Sequence, residues 1–300
     1  MLKKTRPDGT LLTDIPPFTL LLPYLMPQKT GATIYFEQDV DVTETLAYMK
    51  TINRELIKKR QIVTLFEVVL AAAARTLALR PKVNRFVSGN HYYQRNQIVF
   101  NFVAKKELSD DGQEVNVKIA FEPEDTLVDV ARKVQRDIRK AVSEDGAENE
   151  KVVASLMKLP SWVLKLAVRA MNWLDEHNLM ARSLIESDPM WCSVFLTNVG
   201  SFNLDAPYHH LFDRGNCPIF LAVGRVREVR LLDAKGQLET KKKLYLRYSF
   251  DDRVAEGVYM AKTLTMLQDF VEHPQKLSEP PVISPELRKE LRLRPPSESE

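Results

Sequence analysis

Three hundred residues, 44% apolar and 28% charged, have the make-up of an ordinary globular chain and can bury one large core or two small ones. A formal net charge of +3 is too small to argue for a nucleic-acid partner, and the basic runs at 58–60 and 241–243 lack interleaved aromatics, so they read as solvated faces. The cysteines, Cys192 and Cys217, are too few and too scattered for a disulfide framework or a zinc site, and with no H-x-x-H or C-x-x-C pattern no metal is expected.

The opening "MLKKTRPDGT" lacks the apolar core of a signal peptide, and Lys165 and Arg169 interrupt the most apolar helix, so no transmembrane segment is expected. A cytoplasmic enzyme or binding protein fits these limits. Apolar "FTLLLPYLMP" (18–27) leads into "ATIYFEQDVDV" (32–42), which alternates as a half-buried strand does. A helix follows, with Thr43 or Thr45 as its cap and Leu46, Met49, Ile52 and Leu56 at helical spacing. Residues 64–81 read as a second helix, apolar all round and therefore buried, stopped by Pro81.

Residues 91–108 read as strand, turn, strand, joined through "SDDGQE" to the strand "VNVKIAFEP". A third helix spans 125–143, with Asp125 or Thr126 as its cap, and "EDGAENE" is a loop. Residues 152–186 form an apolar helical insert, expected as a helix pair packed on the domain; a lid, a partner interface or a membrane-surface helix are the sharper alternatives. Strands "CSVFLTNVG", "PIFLAVGRV" and "KKLYLRYSF" and a helix over 257–272 complete one domain, 15–276, before a charged tail, 277–300, expected to be flexible. The mixture makes the class α+β, a mixed β-sheet covered by helices.

Five segments in order resemble the catalytic domain of the 2-oxoacid dehydrogenase acyltransferases, relatives of chloramphenicol acetyltransferase. They are "IYFEQDVDVTETLAYMKTIN", "LRPKVNRF", "FLTNVGSF", "IFLAVGRV" and "YSFDDRVAEG", the last falling on the family's D-H-R-x-x-D-G signature. The spacing holds from about Ile15 to Pro274. The resemblance implies a two-layer α/β sandwich and a homotrimer with active sites at subunit interfaces. It also implies acyl transfer between coenzyme A, as a substrate, and a thiol or hydroxyl acceptor, either a small molecule or a lipoyl group. The chain has no room for a lipoyl domain of its own and is similar to the free-standing bacterial members.

Carried over by position, Thr197 takes the hydroxyl position that donates to the tetrahedral oxyanion, with Asn198 and Gly200 beside it. Arg253 and Gly257 match the signature. Asp252 falls where the family has its general-base histidine, and Glu256 falls on the closing aspartate. A free aspartate has a pKa of about 3.9 and is a much weaker base than imidazole. Burial, or a proton shared with Glu256, would have to raise it; otherwise the two carboxylates are a helix-start feature favoured by the dipole. An Arg253 turned inward would hold a carboxylate ionised. His209 and His210, about a dozen residues after Thr197, supply a base instead if the intervening loop folds back, with at most one of them facing the site. His91, His177 and His273 read as structural. The alternative to an enzyme is a catalytically silent trimer that binds acyl-CoA or serves as a scaffold.

Overall fold

The computed structural model describes residues 5–105, 112–143 and 157–294. The strands are β1 (Thr5–Arg6), β2 (Gly9–Leu11), β3 (Thr33–Asp41), β4 (Arg85–Ser88), β5 (His91–Arg95), β6 (Ile98–Lys105), β7 (Glu114–Phe121), β8 (Val194–Asn198), β9 (Ile219–Leu232) and β10 (Leu238–Asp251). The helices are α1 (Pro17–Leu25), α2 (Thr43–Leu56), α3 (Leu65–Leu79), α4 (Leu127–Ser143), α5 (Ser161–Glu176), α6 (Arg182–Ser187), α7 (Gly257–Glu272) and α8 (Pro285–Leu291). Six strands form the main sheet in the order β3-β10-β9-β8-β6-β7. Its middle is parallel, β6 with β8 and β8 with β9, and its flanks are antiparallel, so it is the mixed sheet expected.

One face of this sheet carries the main core. Leu196, Leu221, Val223, Leu246 and Tyr248 meet α3, which is buried from Glu67 to Ala78. An apolar surface around the whole circumference of α3 can only be satisfied between other layers, and α4 and α7 flank it. Its start is fixed by a capping box: Thr64 accepts from the Glu67 N–H, and the Glu67 carboxylate accepts from the Thr64 N–H at 2.7 Å.

Local structure decides between some of the expected caps and adds elements that were not expected. The first turn of α2 is held by Asp41, whose carboxylate accepts from the Thr43 N–H and hydroxyl at 3.1 and 2.7 Å; Thr45 is buried and donates to the Val271 carbonyl. At α4, Thr126 caps, bonding reciprocally with Asp129. A separate four-stranded sheet, β1-β2-β5-β4, was not expected. Within residues 277–300, α8 forms behind a Ser284 cap, and Leu291 is buried; residues 295–300 lie outside the described residues.

The insert departs furthest from expectation. Its first residues, 152–156, and the "EDGAENE" loop lie outside the described residues. Within it, α5 and α6 are helical, but α5 does not lie packed along the domain: its buried residue is Asp175, near its last turn. Met171 touches a small cluster of Met180, Ile185 and Trp191, while Trp162 and Leu166 face outward.

Candidate active site

Strand β8 places Thr197 in the centre of the sheet. Val194 and Leu196 enter the main core, so strict alternation turns Phe195 and Thr197 to the opposite face. Thr197 lies opposite Ala222 of β9, which lies opposite Arg247 of β10. Among the described residues no side-chain hydrogen bond engages the Thr197 hydroxyl, which leaves its proton available to a ligand.

The chain then turns sharply through Asn198 and Gly200. A Cβ on Gly200 would collide with the carbonyl oxygen of Gly224, and one on Gly224 would collide with the backbone nitrogen of Ala206. Both glycines are therefore required by close approach of backbone to backbone. The segment from Val199 onward is laid over β9, with the Arg225 N–H donating to the Leu204 carbonyl at 2.9 Å.

At the other end of β10, the DDR turn has a buried anchor and an exposed tip. Asp251 and Arg253 form a two-pronged ion pair, both N–O distances 2.7 Å, and Arg253 also donates to the Met26 carbonyl at 2.8 Å. The arginine does turn inward, and the carboxylate it holds is Asp251. Asp252 is exposed, its N–H donating to the Ala32 carbonyl at 2.9 Å. Glu256 is exposed at the N-cap of α7 without a side-chain capping bond. Gly257 opens α7 with no atom within 4 Å of a Cβ built there.

A single subunit does not bring Thr197 and Asp252 together. Asp251 is four residues beyond Arg247 and two strands away from β8, a separation of roughly 16 Å. The two histidines are placed differently. The loop does fold back over the sheet, so the His209 ring stacks on Phe220 with centroids 3.9 Å apart and planes 3° from parallel. Phe220 is two residues from Ala222, about 7 Å along the strand from the level of Thr197, and on the same face.

His209 Nδ1 lies 2.7 Å from the His210 carbonyl oxygen. In the neutral ring that bond keeps the proton on Nδ1 and leaves Nε2 as the acceptor. The His209 carbonyl in turn accepts from the Ser249 hydroxyl. His210 is more exposed and turns its own Nδ1 to the Leu211 carbonyl at 3.0 Å. Of the remaining histidines, His177 stacks on Trp173 and bonds its carbonyl, His273 sits beside Asp269, and His91 bonds the Gly89 carbonyl.

A separate cleft of about 480 Å³ lies beside the DDR turn, lined by Lys29, His91, Asp175, His177, Asp213 and Arg253 among others; Thr197, His209 and Asp252 do not line it. Lys29 is buried, which lowers its pKa to about 8, and its ammonium donates to the Gly215 and Arg214 carbonyls at 2.5 and 3.3 Å. Its burial was invisible in the sequence, where it comes two residues after Pro27 and just before a turn, with no local pattern. Cys192 and Cys217 occupy corresponding positions three residues ahead of the paired Phe195 and Phe220, and both are buried in one cluster. Among the described residues no group of histidine, cysteine and acidic side chains could hold a metal ion, and no helix is long and apolar enough to cross a membrane.

Residues 177–279 match the family model of the 2-oxoacid dehydrogenases acyltransferase catalytic domain. A comparison with curated protein sequences gives no match. Among solved structures, a probable dihydrolipoamide acetyltransferase from Listeria monocytogenes superposes with a TM-score of 0.56 at 13% identity, over 89% of this chain and 95% of that one. The dihydrolipoamide acetyltransferase of Azotobacter vinelandii gives 0.56 at 15% identity, over 89% and 93%. A chloramphenicol acetyltransferase gives 0.51 at 11% identity, over 90% and 100%. The fold is thus the chloramphenicol-acetyltransferase-like sandwich that the motifs implied, and the family's sequence pattern is present over the segment that carries Thr197 and the DDR turn.

Proposed function

We propose that this chain, with the sequence pattern and fold of the 2-oxoacid dehydrogenase acyltransferases, is a coenzyme-A-dependent acyltransferase of the cytoplasm. It would move an acyl group to a small thiol or hydroxyl, or to a lipoyl group on another chain. The observation that carries the reading is Thr197: a hydroxyl with no side-chain partner among the described residues, at the end of the central parallel strand, backed by two glycines whose close contact sets the turn. In the Azotobacter vinelandii enzyme one serine, one histidine and one asparagine have been investigated for their part in catalysis, the last two being four positions apart, as Asp252 and Glu256 are here.

In the step proposed, a base removes the acceptor's proton and the acceptor attacks the thioester carbonyl. Thr197 donates to the oxyanion, and collapse expels the coenzyme A thiolate, which takes the proton back from the base. We assign the base to His209, whose Nε2 is the free acceptor on the Thr197 face, with His210 as its exposed neighbour. Asp252 has neither the burial nor the imidazole that the role needs. Its distance from Thr197 within one subunit fits a trimer in which the 251–257 turn faces a neighbouring subunit's strand.

The test is acetyl-CoA consumption with dihydrolipoamide and a panel of thiols and alcohols, reading free coenzyme A. Acceptor-dependent release in the wild type, lost in Thr197→Ala and His209→Gln, is the expected result. Measurable acyl-CoA binding with no turnover for any acceptor would sink the proposal and leave a silent binding protein.

A further inference from the structure

We propose that α5 docks this protein on the surface of an anionic lipid bilayer. The helix is fastened at one end. The Asp175 carboxylate accepts from Arg6, from the Ser88 hydroxyl at 2.8 Å and from the Trp191 indole N–H at 2.9 Å. Toward its N-terminus the helix leaves the body of the domain, with Trp162 68%, Leu166 59% and Trp173 52% exposed.

These side chains are not scattered. At 100° per residue Trp162, Leu166, Arg169 and Trp173 fall within a sector of about 60°, and the two indoles stand roughly 16 Å apart along the axis. Val168 is exposed on another side of the same helix, and Met171 and Leu174 are half-buried beneath it. A helix apolar on most of its circumference requires a cover, and its own domain covers little of it. Leu159 and Met157 extend the exposed apolar surface just ahead of it.

The charges indicate which cover. Lys158, Lys165 and Arg169 are exposed, no acidic residue occurs between 157 and 174, and none of the three has an anionic partner among the described residues. An isologous contact between two copies would set these cations against themselves, with no carboxylate between 157 and 174 to relieve them and the helix's acidic residues, Asp175 and Glu176, confined to its fastened end. An anionic bilayer supplies phosphates for the cations and an interfacial zone that tryptophan favours. A second exposed apolar helix lies nearby: α1 exposes Phe18, Leu21, Tyr24 and Leu25, and runs into Pro27, which shares a cleft with Asn172 and His177 of the α5 end. Neither helix could cross a bilayer. The geometry is that of a peripheral contact lying in the headgroup region.

Co-sedimentation of the full chain with vesicles of phosphatidylcholine, alone and with about 30% phosphatidylglycerol, tests the proposal, with tryptophan emission as a second reading. The wild type is expected to pellet with the anionic vesicles, with emission shifted to the blue and binding weakened by salt. Trp162→Ser/Trp173→Ser should lower the vesicle-bound fraction roughly tenfold, and Lys165→Glu/Arg169→Glu should remove the preference for anionic lipid. Because these side chains are exposed, both variants should keep the wild-type circular dichroism spectrum and Tm. Protein that stays in the supernatant with both vesicle types would overturn the proposal. So would Trp162→Ser/Trp173→Ser lowering the solution mass of the oligomer, since the stripe would then be a contact between proteins. No outcome depends on acyl transfer.

Discussion

Arg253 and Asp251 grip one another through two hydrogen bonds of 2.7 Å, and neither residue is more than 4% exposed. The pair ties the end of β10 to the chain that follows α1, because the same guanidinium holds the Met26 carbonyl. Removing one charge strands the other away from water. Asp251→Ala is therefore expected to lower stability by about 3–5 kcal/mol in urea unfolding. The double variant Asp251→Ala/Arg253→Met should recover part of that loss; a double variant less stable than Asp251→Ala would show that the pair is not the source.

The glycines of the two family motifs are predicted to differ in their tolerance. Gly200→Ala forces a methyl group into the Gly224 carbonyl, which belongs to a central strand and has no rotamer to escape into. A loss of about 1–3 kcal/mol in thermal or urea unfolding is expected, along with weaker turnover as the Thr197 turn shifts. Gly257→Ala meets open space and should stay within about 0.5 kcal/mol of the wild type.

Thr197→Ala should lower turnover by roughly a hundredfold with coenzyme A binding little changed, the cost of one oxyanion donor. Unchanged turnover would remove Thr197 from the mechanism. His209→Gln removes the proposed base and should abolish the base limb of the pH–rate profile, while Asp252→Asn leaves the rate within about twofold. A larger loss in Asp252→Asn would return the role to the turn.

Burial holds Lys29 down to about 8, and Lys118, bonded to the Ile185 and Asp188 carbonyls, is likewise held at about 8 by burial. Both sit below the ordinary 10.5 of a lysine that the unfolded chain regains. Between pH 8 and 10.5 the unfolded chain binds more protons, so these groups make stability rise with pH in that window; below pH 8 their cost is present in full. Urea unfolding at pH 8 and 9.5 should show the rise in the wild type and a smaller one in Lys29→Met. An equal rise in both would exclude Lys29 as a source.

The main sheet, the buried α3 and the closing helix were legible because period two and period 3.6 are local properties. The small sheet was not: Thr5–Arg6 and Gly9–Leu11 are too short to show any period, and the strand that ties this hairpin to the sheet, β5, lies some eighty residues on. Thr197, Asn198 and Gly200 stood out only through the family resemblance, and the structure adds a steric reason for the glycine, the contact of Gly200 with Gly224. The position of His209 depended on a loop whose path no spacing encodes. In α5, Met171 and Leu174 lie on the inner side while Trp162 and Leu166 face outward, a split the sequence could not give, because apolar residues mark a helix as apolar and not what covers it.

The order of the strands also dictates when this sheet can form. Among the described residues strand β3, at residues 33–41, pairs with β10 alone, at 243–251, and β8 and β9 come only after residue 193. During synthesis β3 therefore has no hydrogen-bonding partner until some two hundred further residues have left the ribosome, and closing so long a loop is slow. The last strand made joins the first strand of the sheet to its centre. A nascent chain halted before residue 251 carries an open edge and exposed core-forming residues, the state in which it is most prone to aggregate.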